Sequence, residues 1–465
     1  MGTTIDTFNP TSVNFQHKML WDIKSNYPHY YKNGVQVILS SGAVGSGKTL
    51  MACHLIWLHL LENPGAYVGI GRKDLKRLKS TLLKPLLTHA PLNWKPGVDF
   101  EFNKTEGIIK LPNGSIVQCF SWADGDLERF KGEQFTMFVM DEASENEEDV
   151  FTMIKSRLGR VKEINECIFL MITNPDEPDH WIAKNIIGKA GYIDGKRRDG
   201  DEDTYNFNYH VYYSLTVQNK HNLKEGYIEG LLKSNHAKWI ERNLEGKWIS
   251  FGGEGIYFAY DENIHFKPFD YQVNLSYPIY ISFDFNVAIG KPMSVCFAQY
   301  INDTFHFFNE CVIHGANTTT VLNDMKQRGL FDYKTQYIIN GDAAGWAKGS
   351  ATNGFSDYDI IIKYLNDLKQ FNAMRFKIEV PLANPEVKVR HNTVNAYLKN
   401  GLGQARIFVY KQCPTLNEAF KLTKLKPGGR YIEDDSERSP YQHIGTSAGY
   451  CICMNTIKRG TSRNI

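Results

Sequence analysis

The sequence contains no run of about 18 consecutive apolar residues, which excludes an ordinary membrane-spanning helix. Its first residues, MGTTIDTFNP, hold neither a basic cluster nor an apolar block, so no secretory leader is read there and the expected compartment is cytoplasmic. The eight cysteines are scattered. Only Cys451 and Cys453 lie close together, without a second pair or histidines at zinc spacing, so the thiols are read as reduced and packed. Net charge is only +2, so any polyanionic partner must be met by local basic patches and not by a global field. With 465 residues the chain is too long for one compact core, and two domains are expected.

What is present begins at Ser40: SSGAVGSGKTLMACHLIWLHLL, behind the apolar run Val35, Val37, Ile38, Leu39. Residues 42–49 match GxxxxGK[ST] in full, between a strand-like run and the helix-compatible residues 50–61. Gly42, Gly45 and Gly47, with Ser46, let the backbone curl so that its N–H groups face phosphate oxygens, and the following helix turns its positive end to the same anion. Lys48 is expected at the β/γ-phosphates of a nucleotide and Thr49 at Mg²⁺. Such a loop does not by itself separate kinases from ATPases or GTPases.

Residues 135–140 form an apolar run ending in Asp141-Glu142, the pattern of a buried strand delivering two carboxylates. Asp141 is expected to order the Mg²⁺ shell and Glu142 to act as general base toward water, which favours hydrolysis over phosphorylation of a small molecule. A helix start rich in acids is the structural alternative. Residues 167–172 form a third apolar run ending in Thr173-Asn174-Pro175, a γ-phosphate sensor or a plain Asn-Pro turn. Three such strands suggest a parallel α/β sheet with its site at the carboxyl ends. Phe15-Gln16 offers a ring and an amide to adenine. Arg72, Arg129, Arg157 and Arg160 are arginine-finger candidates. Residues 72–84, RKDLKRLKSTLLK, carry six basic residues and one acid, which reads equally as a phosphate-backbone contact and as a solvated amphipathic helix.

Glycine and aromatics dominate GKWISFGGEGIYFAYDEN, and a hinge is placed at 251–275, dividing a domain 1–250 from a domain 276–465. Beyond it, residues 280–285, 293–300 and 304–312 read as a three-strand meander, the last two joined through Asn302-Asp303. A helix at 318–328 and a strand at 337–342 come next, the order of a ribonuclease-H-like fold. In that order Asp284 and Asp342 lie on neighbouring parallel strands, and two close carboxylates invite Mg²⁺ or Mn²⁺ for two-metal phosphodiester hydrolysis. Strand-end turns or helix caps are the alternative for each aspartate. His443 is the candidate to complete the site from a C-terminal helix.

With GAVGSGKT, MDEAS, TNP, EGKW and SFDFN in this order, the chain resembles the large terminase subunit of tailed bacteriophages over nearly its whole length. The resemblance implies an N-terminal P-loop ATPase domain of RecA/ASCE type and a C-terminal ribonuclease-H-like nuclease. It implies a motor that drives double-stranded DNA through the portal into a procapsid, coupled to an endonuclease that cuts concatemeric genomes. Lys48 and Thr49 would hold nucleotide, Asp141 and Glu142 magnesium and water, Thr173 and Asn174 would couple hydrolysis to movement, and Asp284 and Asp342 would hold nuclease metal. Implied partners are the portal protein, a small terminase subunit and sibling subunits in a ring, in the host cytoplasm, transiently at the portal vertex and not in the mature virion. One departure stands out. Where the family shows a pattern like HxxDAxGY, this chain has HIGTSAGY, so Thr446 replaces the third aspartate, leaving Asp434, Asp435 or His443 to complete the site. The alternatives are a DNA helicase or repair ATPase with an accessory nuclease, and a packaging ATPase whose second domain only docks.

Overall fold

The computed structural model describes residues 19–20, 22–23, 34–91, 94–250, 255–286, 291–348, 354–369, 375–425, 433, 441–456 and 462–464. The chain divides into two compact units, Met1–Glu229 with Lys238–Ser250, and Gly230–Ala237 with Phe251–Ile465.

The first unit is built on ten strands: β1 Gln36–Gly42, β2 Tyr67–Arg72, β3 Glu101–Asn103, β4 Ile108–Lys110, β5 Ile116–Ser121, β6 Met137–Asp141, β7 Ile168–Thr173, β8 Ala190–Ile193, β9 Lys196–Arg197 and β10 Asn206–Ser214. Their order in the sheet is β3-β4-β5-β2-β6-β7-β1-β10-β8-β9. From β5 to β10 every neighbouring pair is parallel. Parallel strands covered on both faces must be apolar on both, and β1, β6 and β7 are buried along their whole length. Alternate residues serve opposite faces. Ile38, Val139, Leu170 and Ile172 pack with Leu55, Ile56 and Leu60 of the helix Lys48–Glu62. Val37, Leu39, Phe138, Met140, Phe169 and Met171 fill the other side. Each such buried side chain contributes about 1.5–3 kcal/mol by its removal from water, so the strands that end in the polar motifs are firmly held.

In the second unit the strands are β11 Phe266–Lys267, β12 Ile279–Asp284, β13 Pro292–Ile301, β14 Thr304–His314, β15 Gln336–Gly341, β16 Arg375–Pro381, β17 Ile407–Tyr410 and β18 Ser462–Asn464, in the order β11-β17-β14-β13-β12-β15-β16-β18. β12, β13 and β14 are an antiparallel meander, and β15 returns parallel to β12, as the sequence order required. Asn302 and Asp303, both at positive φ, make the two-residue turn between β13 and β14. Helices Thr318–Gln327 and Asp357–Lys369 cover one face through Val321, Leu322, Ile361 and Leu365. Helices Val387–Leu398, Pro414–Leu422 and Gln442–Thr456 cover the other through Val394, Leu416, Ile444 and Ala448. Ile256 and Tyr257, from the segment read as a hinge, pack into this second face. The molecule is thus α/β in both units, one a parallel P-loop sheet and the other of ribonuclease-H-like order.

Candidate nucleotide and metal sites

β1, β6 and β7 are neighbours, so their carboxyl ends bring the three motifs of the first half together. Ser41 is in register with Thr173, and Asp141 with Ile172. The loop leaving β1 carries Gly45 and Gly47 at positive φ, and Gly47 opens the helix that begins at Lys48. The loop's carbonyls are tied down from outside: Asn219 Nδ2 donates to Gly45 O at 2.7 Å and Thr216 Oγ1 to Val44 O at 2.6 Å, while Ser214 Oγ bonds Ser46 Oγ at 2.8 Å. A Cβ at Gly42 would lie 1.8 Å from Ser214 Oγ, so any side chain there displaces the Ser214 hydroxyl from its bond to Ser46. Lys48 Nζ donates to Gly42 O and Ala43 O, both at 2.7 Å, and to Asn174 Oδ1 at 3.0 Å. Burial draws this ammonium down to about 8, against the upward pull of the Glu142 and Asp141 carboxylates. Thr49 comes next, in the first turn of the helix, half-buried.

Asp141 is buried, and both of its side-chain bonds fall on Oδ2, from Thr81 Oγ1 at 2.6 Å and Arg72 Nη1 at 3.2 Å. Arg72 is in turn forked onto Glu145 through Nε at 3.0 Å and Nη2 at 2.7 Å. Burial raises the Asp141 carboxyl, and the Thr81 hydrogen bond and the Arg72 charge oppose it. Glu142 sits at φ 48, a left-handed conformation that costs on the order of 1–3 kcal/mol for a residue other than glycine and turns the chain sharply off the strand. Burial and the Asp141 charge both push its carboxyl upward. Asn174 Nδ2 lies 3.5 Å from Glu142 Oε1, so one amide faces both Lys48 and Glu142. Thr173 Oγ1 accepts from Ser144 N at 3.1 Å, joining the β7 end to the turn after Glu142. Hydroxyl and carboxylate oxygens from Thr49 and Asp141 are the hard donors that Mg²⁺ prefers, so the residues present fit that ion.

Of the arginines, Arg72 is committed to Asp141 and Glu145. Arg129 is committed to its own loop, donating to Ser121 O, Asp126 O and the Asp124 carboxylate. Arg157 Nη2 lies 3.5 Å from Met153 Sδ, and Arg160 is exposed. Gln16 lies outside the described residues.

In the second unit, Gly341 at φ 138 carries no Cβ, which would otherwise lie 2.2 Å from Phe283 O. That close approach lets Asp342 N donate to Phe283 O at 2.9 Å, one residue from Asp284 on the adjacent strand. Asp284 Oδ2 accepts from Asn286 Nδ2 at 2.9 Å and pairs with His443 Nδ1 at 3.0 Å. Burial raises the Asp284 carboxyl, the His443 contact opposes this, and Asp342 adds to it. Asp342 Oδ1 accepts from Ala344 N and Asn384 Nδ2, both at 2.7 Å. Two carboxylates on paired strands are suitable donors for Mg²⁺ or Mn²⁺. Among the described residues no three His, Cys, Asp or Glu side chains converge on one ion position, and Asp434 and Asp435 lie outside those residues. Thr446 instead donates to Glu433 Oε2 at 3.2 Å. Glu433 is also held by Arg390 Nη2 at 2.7 Å, His391 Nε2 at 2.6 Å and Gln442 Nε2 at 2.7 Å.

Thr81, Glu145, Asn286, Asn384 and the Arg390–Glu433 pair carry no local sequence signature. Each becomes visible only when distant segments meet. Arg72 was legible as an arginine of interest, but not as the partner of Asp141.

Residues 39–263 match the family described as terminase large subunit, T4likevirus-type, N-terminal. The large terminase of the thermophilic bacteriophage D6E has a similar fold, with 15% identity and a TM-score of 0.58 over 96% of this chain and 99% of that one. The same protein in complex with ADP gives 15% identity and a TM-score of 0.57 over 96% and 100%. Its complex with ATP-gamma-S gives 15% and 0.56 over 95% and 98%. No curated protein matches the chain by sequence. Among the described residues no helix is long and apolar enough to cross a membrane.

Proposed function

We propose, for a chain whose residues 39–263 match the large-terminase N-terminal family and whose fold is similar to that of a large terminase along its length, that it is the ATP-hydrolysing and DNA-cutting subunit of a genome-packaging motor. The observation that carries this reading is the meeting of Lys48, Asp141, Glu142 and Asn174 at the ends of three adjacent parallel strands. The loop around Gly45 and Gly47 cradles the phosphates of ATP, as the D6E protein holds ADP and ATP-gamma-S. Lys48 exchanges its backbone carbonyl partners for phosphate oxygens. Thr49 and Asp141 hold Mg²⁺, which would draw charge from the β- and γ-phosphates. Glu142, with its proton affinity raised by burial and by Asp141, takes a proton from the attacking water. When Lys48 turns to phosphate, Asn174 is released from it, and Thr173 transmits the change to residue 144.

In the second unit Asp284 and Asp342 hold Mg²⁺ or Mn²⁺, which would activate water and stabilise the leaving oxygen. Asn286 and His443 fix the orientation of the Asp284 carboxylate. The partners of this reading are double-stranded DNA, the portal protein, a small terminase subunit and sibling copies in a ring, in the host cytoplasm and at the procapsid vertex. A second reading, in which the C-terminal unit docks and does not cut, draws support from Thr446 being bound to Glu433. One experiment separates them: ATP hydrolysis and plasmid cutting by the wild type and by Lys48→Ala and Asp284→Ala. The packaging reading expects Lys48→Ala to lose hydrolysis, and Asp284→Ala to keep it and lose cutting. Undiminished cutting by a folded Asp284→Ala protein overturns the metal assignment, and no cutting by the wild type with Mn²⁺ favours docking.

A further inference from the structure

The basic segment after β2 is not one uniform helix. It runs as the short helix Leu75–Leu78, a π-turn Lys79–Leu83 and the helix Lys84–Thr88. A π-turn adds a residue to the helical circuit and rotates the residues beyond it, and such turns recur at functional sites. Leu78, Leu82 and Leu86 point into the core. Thr81 reaches Asp141 Oδ2 at 2.6 Å, beside Arg72. On the outer side, Lys79, Leu83, Lys84 and Leu87 join Phe102 and Lys104 around a groove of about 330 Å³. Lys84 and Lys104 are exposed, Lys79 is half-buried, and among the described residues no acidic side chain lines the groove.

Three ammonium groups around an apolar floor repel one another until an anion neutralises them. A polynucleotide backbone has the matching chemistry: phosphates for the amines and deoxyribose for the Leu and Phe surface. The geometry points to this groove as a seat for the sugar-phosphate backbone of duplex DNA, with Thr81 as the link through which its occupancy reaches Asp141. Lys79 and Thr81 belong to the same π-turn, so a lysine drawn to a phosphate shifts the hydroxyl that holds the Asp141 carboxylate. Hydrolysis then responds to whether DNA is engaged. This inference rests on the packaging reading, because it takes duplex DNA as the partner.

The test uses the full chain, a short fluorescein-labelled duplex of mixed sequence, and phosphate release with and without that duplex. The triple variant Lys79→Glu, Lys84→Glu, Lys104→Glu is expected to bind the duplex at least about tenfold more weakly, with a salt dependence shallower by about 0.9 for each phosphate it no longer neutralises. Its DNA-free hydrolysis and its melting temperature stay at wild-type values. Thr81→Val is expected to bind the duplex with wild-type affinity but to lose the stimulation of hydrolysis, and Thr81→Ser to regain it. Should the triple variant melt early, Lys84→Gln at an exposed position reads the same loss of binding on a smaller scale. Wild-type duplex affinity in the lysine variants removes the groove, and full stimulation of Thr81→Val removes the link. A wild-type protein that neither binds duplex nor responds to it overturns the packaging reading, and this one with it.

Discussion

Lys48, first in the helix that follows β1, and Asn174, next after β7, meet with Nζ 3.0 Å from Oδ1 although they lie 126 positions apart in the sequence. In the proposed reading this bond joins the lysine that takes phosphate to the residue that reports its departure. The nitrogen of the same amide faces Glu142.

Lys48→Ala removes the ammonium at the phosphate loop, and hydrolysis is expected to fall by about 10²–10³-fold or more, the scale for losing one charge-stabilising donor. The wild type carries a pH signature of the same group. Phosphate favours the charged amine, and burial draws that amine down to about 8. Nucleotide affinity should be flat below that pH and weaken by about tenfold per pH unit above it. Titration with a fluorescent ATP analogue from pH 7 upward measures both arms.

Glu142→Gln keeps the side-chain volume and removes the proton acceptor. Phosphate release should drop by about 10²–10⁴-fold, while nucleotide affinity stays within a small factor. A drop in affinity of the same size as the drop in turnover would mean that Glu142 binds nucleotide and does not activate water.

Asp284→Ala leaves the Asn286 amide and His443 without their shared carboxylate. ATP hydrolysis, carried by the other unit, should be unchanged, and nicking of supercoiled plasmid with Mn²⁺ should fall to background. Calorimetric titration with Mn²⁺ should lose the heat that the wild type gives, an outcome independent of turnover.

Glu433 yields a stability prediction. Burial alone would raise its carboxyl, but the His391 hydrogen bond and the Arg390 charge bring it down to about 2. A carboxylate depressed in the folded state stabilises fully above its unfolded value and loses that contribution as pH falls toward the folded one. The contribution, on the order of 3 kcal/mol for a shift of this size, should disappear between about pH 4.5 and 2. Glu433→Gln should flatten that limb of the urea-unfolding profile. It should also cost roughly 3–5 kcal/mol at neutral pH, because Arg390 is left charged and buried.

Much of the site was legible before the fold because its residues travel in compact motifs with their structural context attached. GAVGSGKT announced a loop between a strand and a helix, and Asp141-Glu142 and Thr173-Asn174 each ended a run apolar enough to be a buried parallel strand. The strand order that pairs β12 with β15 was also legible in the local pattern, since a meander, a helix and one more strand leave few ways to close a sheet. The contacts that tune these groups are different in kind. Thr81 on Asp141, Asn384 on Asp342, and Arg390 with His391 on Glu433 join segments far apart in sequence, and a single polar residue in a helix or loop gives no sign of its partner.

The sequence by itself determined the two α/β units, the glycine-rich loop between β1 and its helix and the positions of the strand-end acids, because hydrophobic periodicity and glycine placement act over a few neighbouring residues. Only the tertiary structure decided which face of each carboxylate is occupied, that Arg72 is committed to Asp141, and that Thr446 answers to Glu433. Those outcomes depend on desolvation and on distances of a few ångströms between segments, quantities that exist only once the sheets have closed.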